Sequence, residues 1–178
     1  MGVMYDYFAA PSEEAAAATI DWVGGPGTPP PLPMPFRELV AKYGLEEGRT
    51  YLKPRLYLSE YGLYVVSTKG FDAITDLGAV ESQLTGVSLD DILDRDDPVV
   101  ADRDGGERRV LRIGDATRDA LVHATDDAMV EAARRWAASQ SQWRTIELEP
   151  IVHLLGQLAA LARVATKRGE GLFCWICV

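Results

Sequence analysis

The run Pro150-Ile151-Val152-His153-Leu154-Leu155-Gly156-Gln157-Leu158-Ala159-Ala160-Leu161-Ala162-Arg163-Val164-Ala165-Thr166-Lys167-Arg168-Gly169, continuing through Glu170-Gly171-Leu172 into Phe173-Cys174-Trp175-Ile176-Cys177-Val178, decides the fold class. Ile151, Leu154, Leu155, Leu158, Leu161, Ala162 and Ala165 recur at helical spacing and fall on one side. Pro150 suits a first helical position, Lys167 and Arg168 complement the negative end of the helix dipole, and Gly169 is a natural terminator. Burying the five large apolar residues of this stripe at ~1.5–3 kcal/mol each gives on the order of 10 kcal/mol of gross driving force. The aromatic and β-branched ending reads as a strand. A packed helix followed by a core strand requires a sheet for both to meet.

A partner for that strand stands at the other end of the chain. Val3 to Ala10 is rich in aromatic and apolar residues, and Pro11-Ser12-Glu13-Glu14 then starts a helix expected to end near Trp22. Phe36 to Tyr43 suits a short helix, and Arg55 to Val66 reads as two short strands around Gly62. From Asp72, Ile74, Leu77, Val80 (or Ala79) and Leu84 fit one helical face stopped by Gly86, and Ser88 starts a helical turn. Pro98 to Ile113 reads as a hairpin around Asp104-Gly105-Gly106. Asp115 and Thr125 are the expected caps of two further helices, reaching His123 and about Ala138. The fold class is therefore α+β: a single compact domain over residues 1–178, with a small, mostly antiparallel sheet that includes the N- and C-terminal strands, packed by several helices. Residues 24–35 hold six of the ten prolines and form an internal Pro/Gly-rich loop. Its Pro30-Pro31-Leu32-Pro33 formally matches a ligand of proline-binding grooves, a pattern common by chance.

The chain has 178 residues, 47% of them hydrophobic and 25% charged, the ordinary globular balance. A net charge of −9 opposes binding to a phosphate backbone. No apolar run approaches the roughly 20 residues that span a bilayer, and the start lacks a basic-then-apolar leader, so a cytoplasmic, non-membrane protein is expected.

Chemical motifs are few. Cys174 and Cys177 form a Cys-x-x-Cys pattern, but no helix follows to activate a thiol, and in a strand the two point to opposite faces, their Cα atoms about 10 Å apart. A disulfide needs less than about 7 Å, so buried structural thiols are expected. His123 and His153 lack ligand-like spacing, and no metal or cofactor is expected. Among the acids around Asp90 to Glu107, a calcium loop with Gly105 at its invariant glycine would put Val100 and Leu111 at ligand positions. Asp94, Asp96, Asp97, Asp102 and Asp104 are instead the candidate patch for a basic protein partner, although a merely solvated acidic loop explains them as well. The leading expectation is a non-enzymatic protein-binding domain, immunity- or regulator-like. The alternative is an enzyme whose pocket draws on some of Tyr57, Tyr61, Asp72, Glu81 or His123, with a thiol or metal protein on Cys174 and Cys177 as a third reading.

Met1-Gly2-Val3-Met4-Tyr5-Asp6-Tyr7-Phe8, Lys69-Gly70-Phe71 through Leu84-Thr85-Gly86, and Ala165-Thr166-Lys167-Arg168-Gly169 before a strand occur in an order that resembles the YfbM-like family of uncharacterised bacterial proteins. The resemblance implies a compact α+β domain of unassigned activity and carries over no catalytic residues. The proline-rich strap and the Cys174 to Cys177 ending depart from it. Richness in Ala, Arg, Asp and Gly looks like a high-GC bacterial source.

Overall fold

Strand β1 (Met4–Ala10) alternates its side chains between two apolar environments, and this two-sided burial organises the molecule. The computed structural model describes residues 2–29, 32–50, 65–95, 98–140 and 147–178. With β2 (Val65–Lys69), β3 (Val99–Arg103), β4 (Arg108–Ile113) and β5 (Gly171–Cys177), β1 forms an antiparallel sheet of order β2-β1-β5-β4-β3. The expected neighbours are paired along their whole length, from Met4 opposite Cys177 to Ala10 opposite Gly171. The C-terminal strand is the centre of the sheet, held by β1 on one side and β4 on the other.

Tyr5, Tyr7 and Ala9 of β1, with Leu172, Cys174 and Ile176 of β5, face the larger core. Helix α8 (Leu148–Arg168) lies on this face with Leu155, Leu158 and Leu161 buried, and α6 (Asp115–His123) and α7 (Asp126–Gln140) pack against it. Helix α4 (Thr75–Thr85) closes the layer against α6 and α7. At 21 residues, α8 is also long and apolar enough to meet the length and hydropathy of a bilayer span, which the sequence reading did not anticipate. Its apolar side is spent on the sheet and on neighbouring helices. On the other face, Phe8, Phe173, Trp175 and Val110 pack with Ala16 of α1 (Glu13–Ala17) and with Ile20.

Local signals explain most boundaries. The Ser12 hydroxyl accepts from the Ala15 N–H, and Gly86 and Gly169 end α4 and α8 in the left-handed conformation. Helix α2 spans Phe36–Tyr43 as expected and is followed by α3 (Leu45–Thr50). Ser88 caps α5 (Leu89–Leu93), and Thr125 Oγ1 accepts from Ala128 at the start of α7. Positive φ at Asp104, Gly105 and Gly106 turns the β3–β4 hairpin, which the glycines make cheap.

The first helical segment ends at Asp21 with Trp22 as its cap, as expected, but its last turn, Ala18–Asp21, is a 3-10 turn in which the Thr19 hydroxyl donates to the Ala16 carbonyl and the Trp22 N–H to that of Thr19. One expectation needs correction. The cap of α6 is Gly114, not Asp115, whose carboxylate is drawn to Arg118 and Arg112. Of the strands expected over 55–66, only Val65 and Val66 lie within the described residues, where they open β2.

Candidate functional site: a cleft over Glu81

Of the aspartates expected to form an acidic patch, Asp94, Asp102 and Asp104 lie within the described residues. Asp102 pairs with Arg109 at 3.0 Å and Asp104 with Arg108 at 2.6 Å, so the hairpin largely neutralises itself. Asp96 and Asp97 lie outside the described residues. Asp94 stands at the C-terminal cap of α5, where it lines a cleft of about 690 Å³.

This cleft opens between α4 and α5 on one side and the start of β3 on the other, with the β4–α6 junction as its end wall. Leu77, Gly78 and Ile92, all buried, line it with Ile74 and Leu93, which are each 41% exposed and stand at its margin. Helix α5 packs closely on α4 at Gly78, where a Cβ would meet Ile92 and Leu89 at 3.4 Å, in van der Waals contact. Four carboxylates, those of Glu13, Glu81, Asp94 and Asp115, line the cleft against two guanidinium groups, those of Arg95 and Arg112. Arg112 reaches Glu13 at 3.2 Å and Asp115 at 3.5 Å.

Glu81 is the unusual member. It projects from a helix whose other buried side chains are apolar, and its carboxylate is completely buried. Thr117 on α6 donates its hydroxyl to Oε2. Arg95 Nη1 lies 2.7 Å from Oε1, yet no N–H is directed along that line, so Oε1 has charge compensation without a hydrogen bond. With a guanidinium nitrogen at 2.7 Å, Oε1 is held by the ion pair, while Oε2 is held by a directed hydrogen bond. Sequence reasoning had Glu81 among its enzyme candidates, but had no means of selecting it from the other acids. Arg95 and Thr117 were missed, because each acquires meaning only through its distance from Glu81.

The remaining candidates lie elsewhere. Asp72 is structural: its Oδ1 accepts from the amides of Ile74 and Thr75 and so starts α4, and its Oδ2 accepts from the Tyr5 hydroxyl at 3.1 Å. Burial and this carboxylate push Tyr5 up to about 12. His123 is exposed at the end of α6, its Nδ1 2.8 Å from the Asp119 carbonyl, and His153 is exposed on α8. Tyr57 and Tyr61 lie outside the described residues. Both cysteines are free, with Cys174 fully buried and Cys177 half-buried on the opposite face. Burial pushes the Cys174 thiol well up, and the Asp6 and Asp72 carboxylates add to the shift. Among the described residues, no three His, Cys, Asp or Glu side chains cluster as metal ligands would.

A second buried acid anchors the Pro/Gly-rich loop. Asp6 accepts from the Gly27 amide at 2.8 Å and from Ser67 Oγ at 2.6 Å, while Gly25, at φ +77°, passes so close to Asp6 and Trp175 that a Cβ would clash with both. Desolvation raises the Asp6 pKa, and these two hydrogen bonds oppose the shift. Comparison of the chain with protein-family profiles, curated proteins and solved structures returned no match.

Proposed function

We propose that this protein is a non-enzymatic protein-binding domain, immunity- or regulator-like, and that the cleft over Glu81 receives a basic segment of its partner. The observation that carries the reading is the cleft's excess of carboxylates over guanidinium groups around an apolar lining with Ile74 and Leu93 at its margin. Such a surface favours an approaching cation and gives its aliphatic stem something to cover. The net charge of −9 acts in the same direction at longer range. A bacterial, cytoplasmic setting and kinship with YfbM-like proteins belong to this proposal, supported by the three sequence stretches and the α+β fold.

Zero-length carbodiimide coupling in native lysate tests it. The expected result is a saturable, salt-sensitive partner whose lysines couple to Glu13, Asp94 or Asp115, with yield falling in Asp94→Asn/Asp115→Asn. Absence of a saturable partner, or capture indifferent to both substitutions and to salt, would defeat the reading. The competing enzyme reading draws on the buried Glu81 carboxylate at the cleft wall, and a turnover screen in which Glu81→Gln loses an activity seen in the wild type would favour it.

A further inference from the structure

We propose that Arg95 is an internal stand-in for the partner's arginine: its guanidinium occupies the place over Glu81 Oε1 that an incoming guanidinium takes when the partner binds. The inference rests on the protein-binding reading above and specifies its chemistry and regulation.

Three observations support it. The first is the mismatch at Oε1, which is 2.7 Å from Arg95 Nη1 but receives no directed N–H, although the Glu81 side chain is 0% exposed. An ion pair this close but misaligned leaves the directional part of a charge-assisted hydrogen bond unrealised. The second is asymmetry of support. Glu81 is fixed on α4 by Thr117 through Oε2, whereas Arg95 stands just beyond the five-residue α5, with a side chain 39% exposed and, among the described residues, Glu81 as its only ionic partner. Arg95 is thus the more exposed and less tethered member of the pair. The third is the cleft itself, which leads to the pair and is lined by Asp94 and Asp115, so a second cation has an approach route.

The chemistry selects arginine over lysine. A guanidinium is more weakly hydrated than an ammonium and is planar, so it enters a partly apolar cleft at lower desolvation cost and can present two N–H groups. Exchange of one guanidinium for another conserves the charge on Glu81, so the carboxylate is never left buried and unpaired, the state that would be expensive. The exchange also frees Arg95 to swing toward Asp94 or solvent, which makes occupancy of the cleft a signal readable at the end of α5.

N-propylguanidinium is the probe, with N-propylurea as its uncharged control. Binding is followed by calorimetry, and by the Arg95 Nε–Hε NMR signal in the wild type. Arg95→Ala should bind N-propylguanidinium at least 10-fold more tightly than the wild type and gain thermal stability from it, the urea should do neither, and Arg95→Ala/Glu81→Gln should lose the gain. No gain in folded Arg95→Ala, or an equal gain in the double variant, overturns the proposal. If Arg95→Ala does not fold, the wild type decides: a saturable shift of the Arg95 signal with the guanidinium and not the urea supports displacement, and an unmoved signal refutes it. The two readings fail separately. Partner coupling at Asp94 or Asp115 without the guanidinium gain removes the stand-in role alone, whereas the gain without any captured partner leaves the exchange site and removes the protein-binding function.

Discussion

The Thr117 hydroxyl on α6 donates to Oε2 of Glu81 on α4, a contact between residues 36 positions apart that ties two helices through a fully buried carboxylate. The donor is positioned early in α6, one turn after Gly114, and is itself buried.

Thr117→Val preserves shape and deletes the donor, leaving a buried charged acceptor with only misaligned compensation. A loss of about 1–3 kcal/mol is expected by urea denaturation, with Thr117→Ser recovering most of it. Equal stability of the valine and serine variants would show that the hydrogen bond contributes nothing.

Asp6 gives a pH signature. Its folded pKa is raised, chiefly by desolvation, above the ordinary carboxylate value of the unfolded chain. The folded state therefore holds the proton more tightly, and the contribution of Asp6 to stability is fully present below the unfolded pKa and lost as pH rises through the folded one. Asp6→Asn keeps an acceptor for the Gly27 amide and removes the titration. Stability measured from pH 3 to pH 8 should show the asparagine variant gaining on the wild type across that window and holding a constant difference above it. A difference that does not change with pH would contradict the assignment.

The fold was legible where the chain carries strong local signals. Ser12, Gly86, Asp104-Gly105-Gly106 and Gly169 marked real boundaries, and the stripe from Ile151 to Ala165 identified a packed helix. Even the pairing of Val3 to Ala10 with the C-terminal strand followed from two apolar runs that both needed a sheet. The cleft was not legible, because its members come from six elements and the junctions beside them, between positions 13 and 117, and share no spacing. Glu81 looked like any acid on a helix, and only its burial distinguishes it. The aspartates of the hairpin, clustered in sequence, are paired within the hairpin itself, Asp102 with Arg109 and Asp104 with Arg108.

Strand alternation also sets thiol reactivity. Cys174 is buried in the larger core with its pKa pushed well up, while Cys177 is half-buried near the strand end on the other face. Since the thiolate is the reactive species, iodoacetamide at pH 8 should label Cys177 first and Cys174 only on unfolding. Mass spectrometry of the native protein over time provides the check, and comparable labelling rates at the two positions would mean that the strand does not hold Cys174 in the core.

Deleting Phe173 to Val178 tests the topology most directly. These residues lie opposite Met4 to Phe8 on one side and Arg108 to Arg112 on the other, so their loss divides the sheet into the β2–β1 and β4–β3 pairs with no strand between them. Phe173 and Trp175 also fill the smaller core, while Cys174 and Ile176 meet the face covered by α8, so both layers lose their common wall. Neither strand pair reaches three strands, and each loses the shared central strand that joins it to the rest of both cores. The truncated chain should show no cooperative thermal transition, whereas Leu155→Ala, which removes one buried side chain from α8, should keep the transition and lower stability by about 2–5 kcal/mol. A truncated protein that still melts cooperatively would show that β5 is not the centre of the sheet.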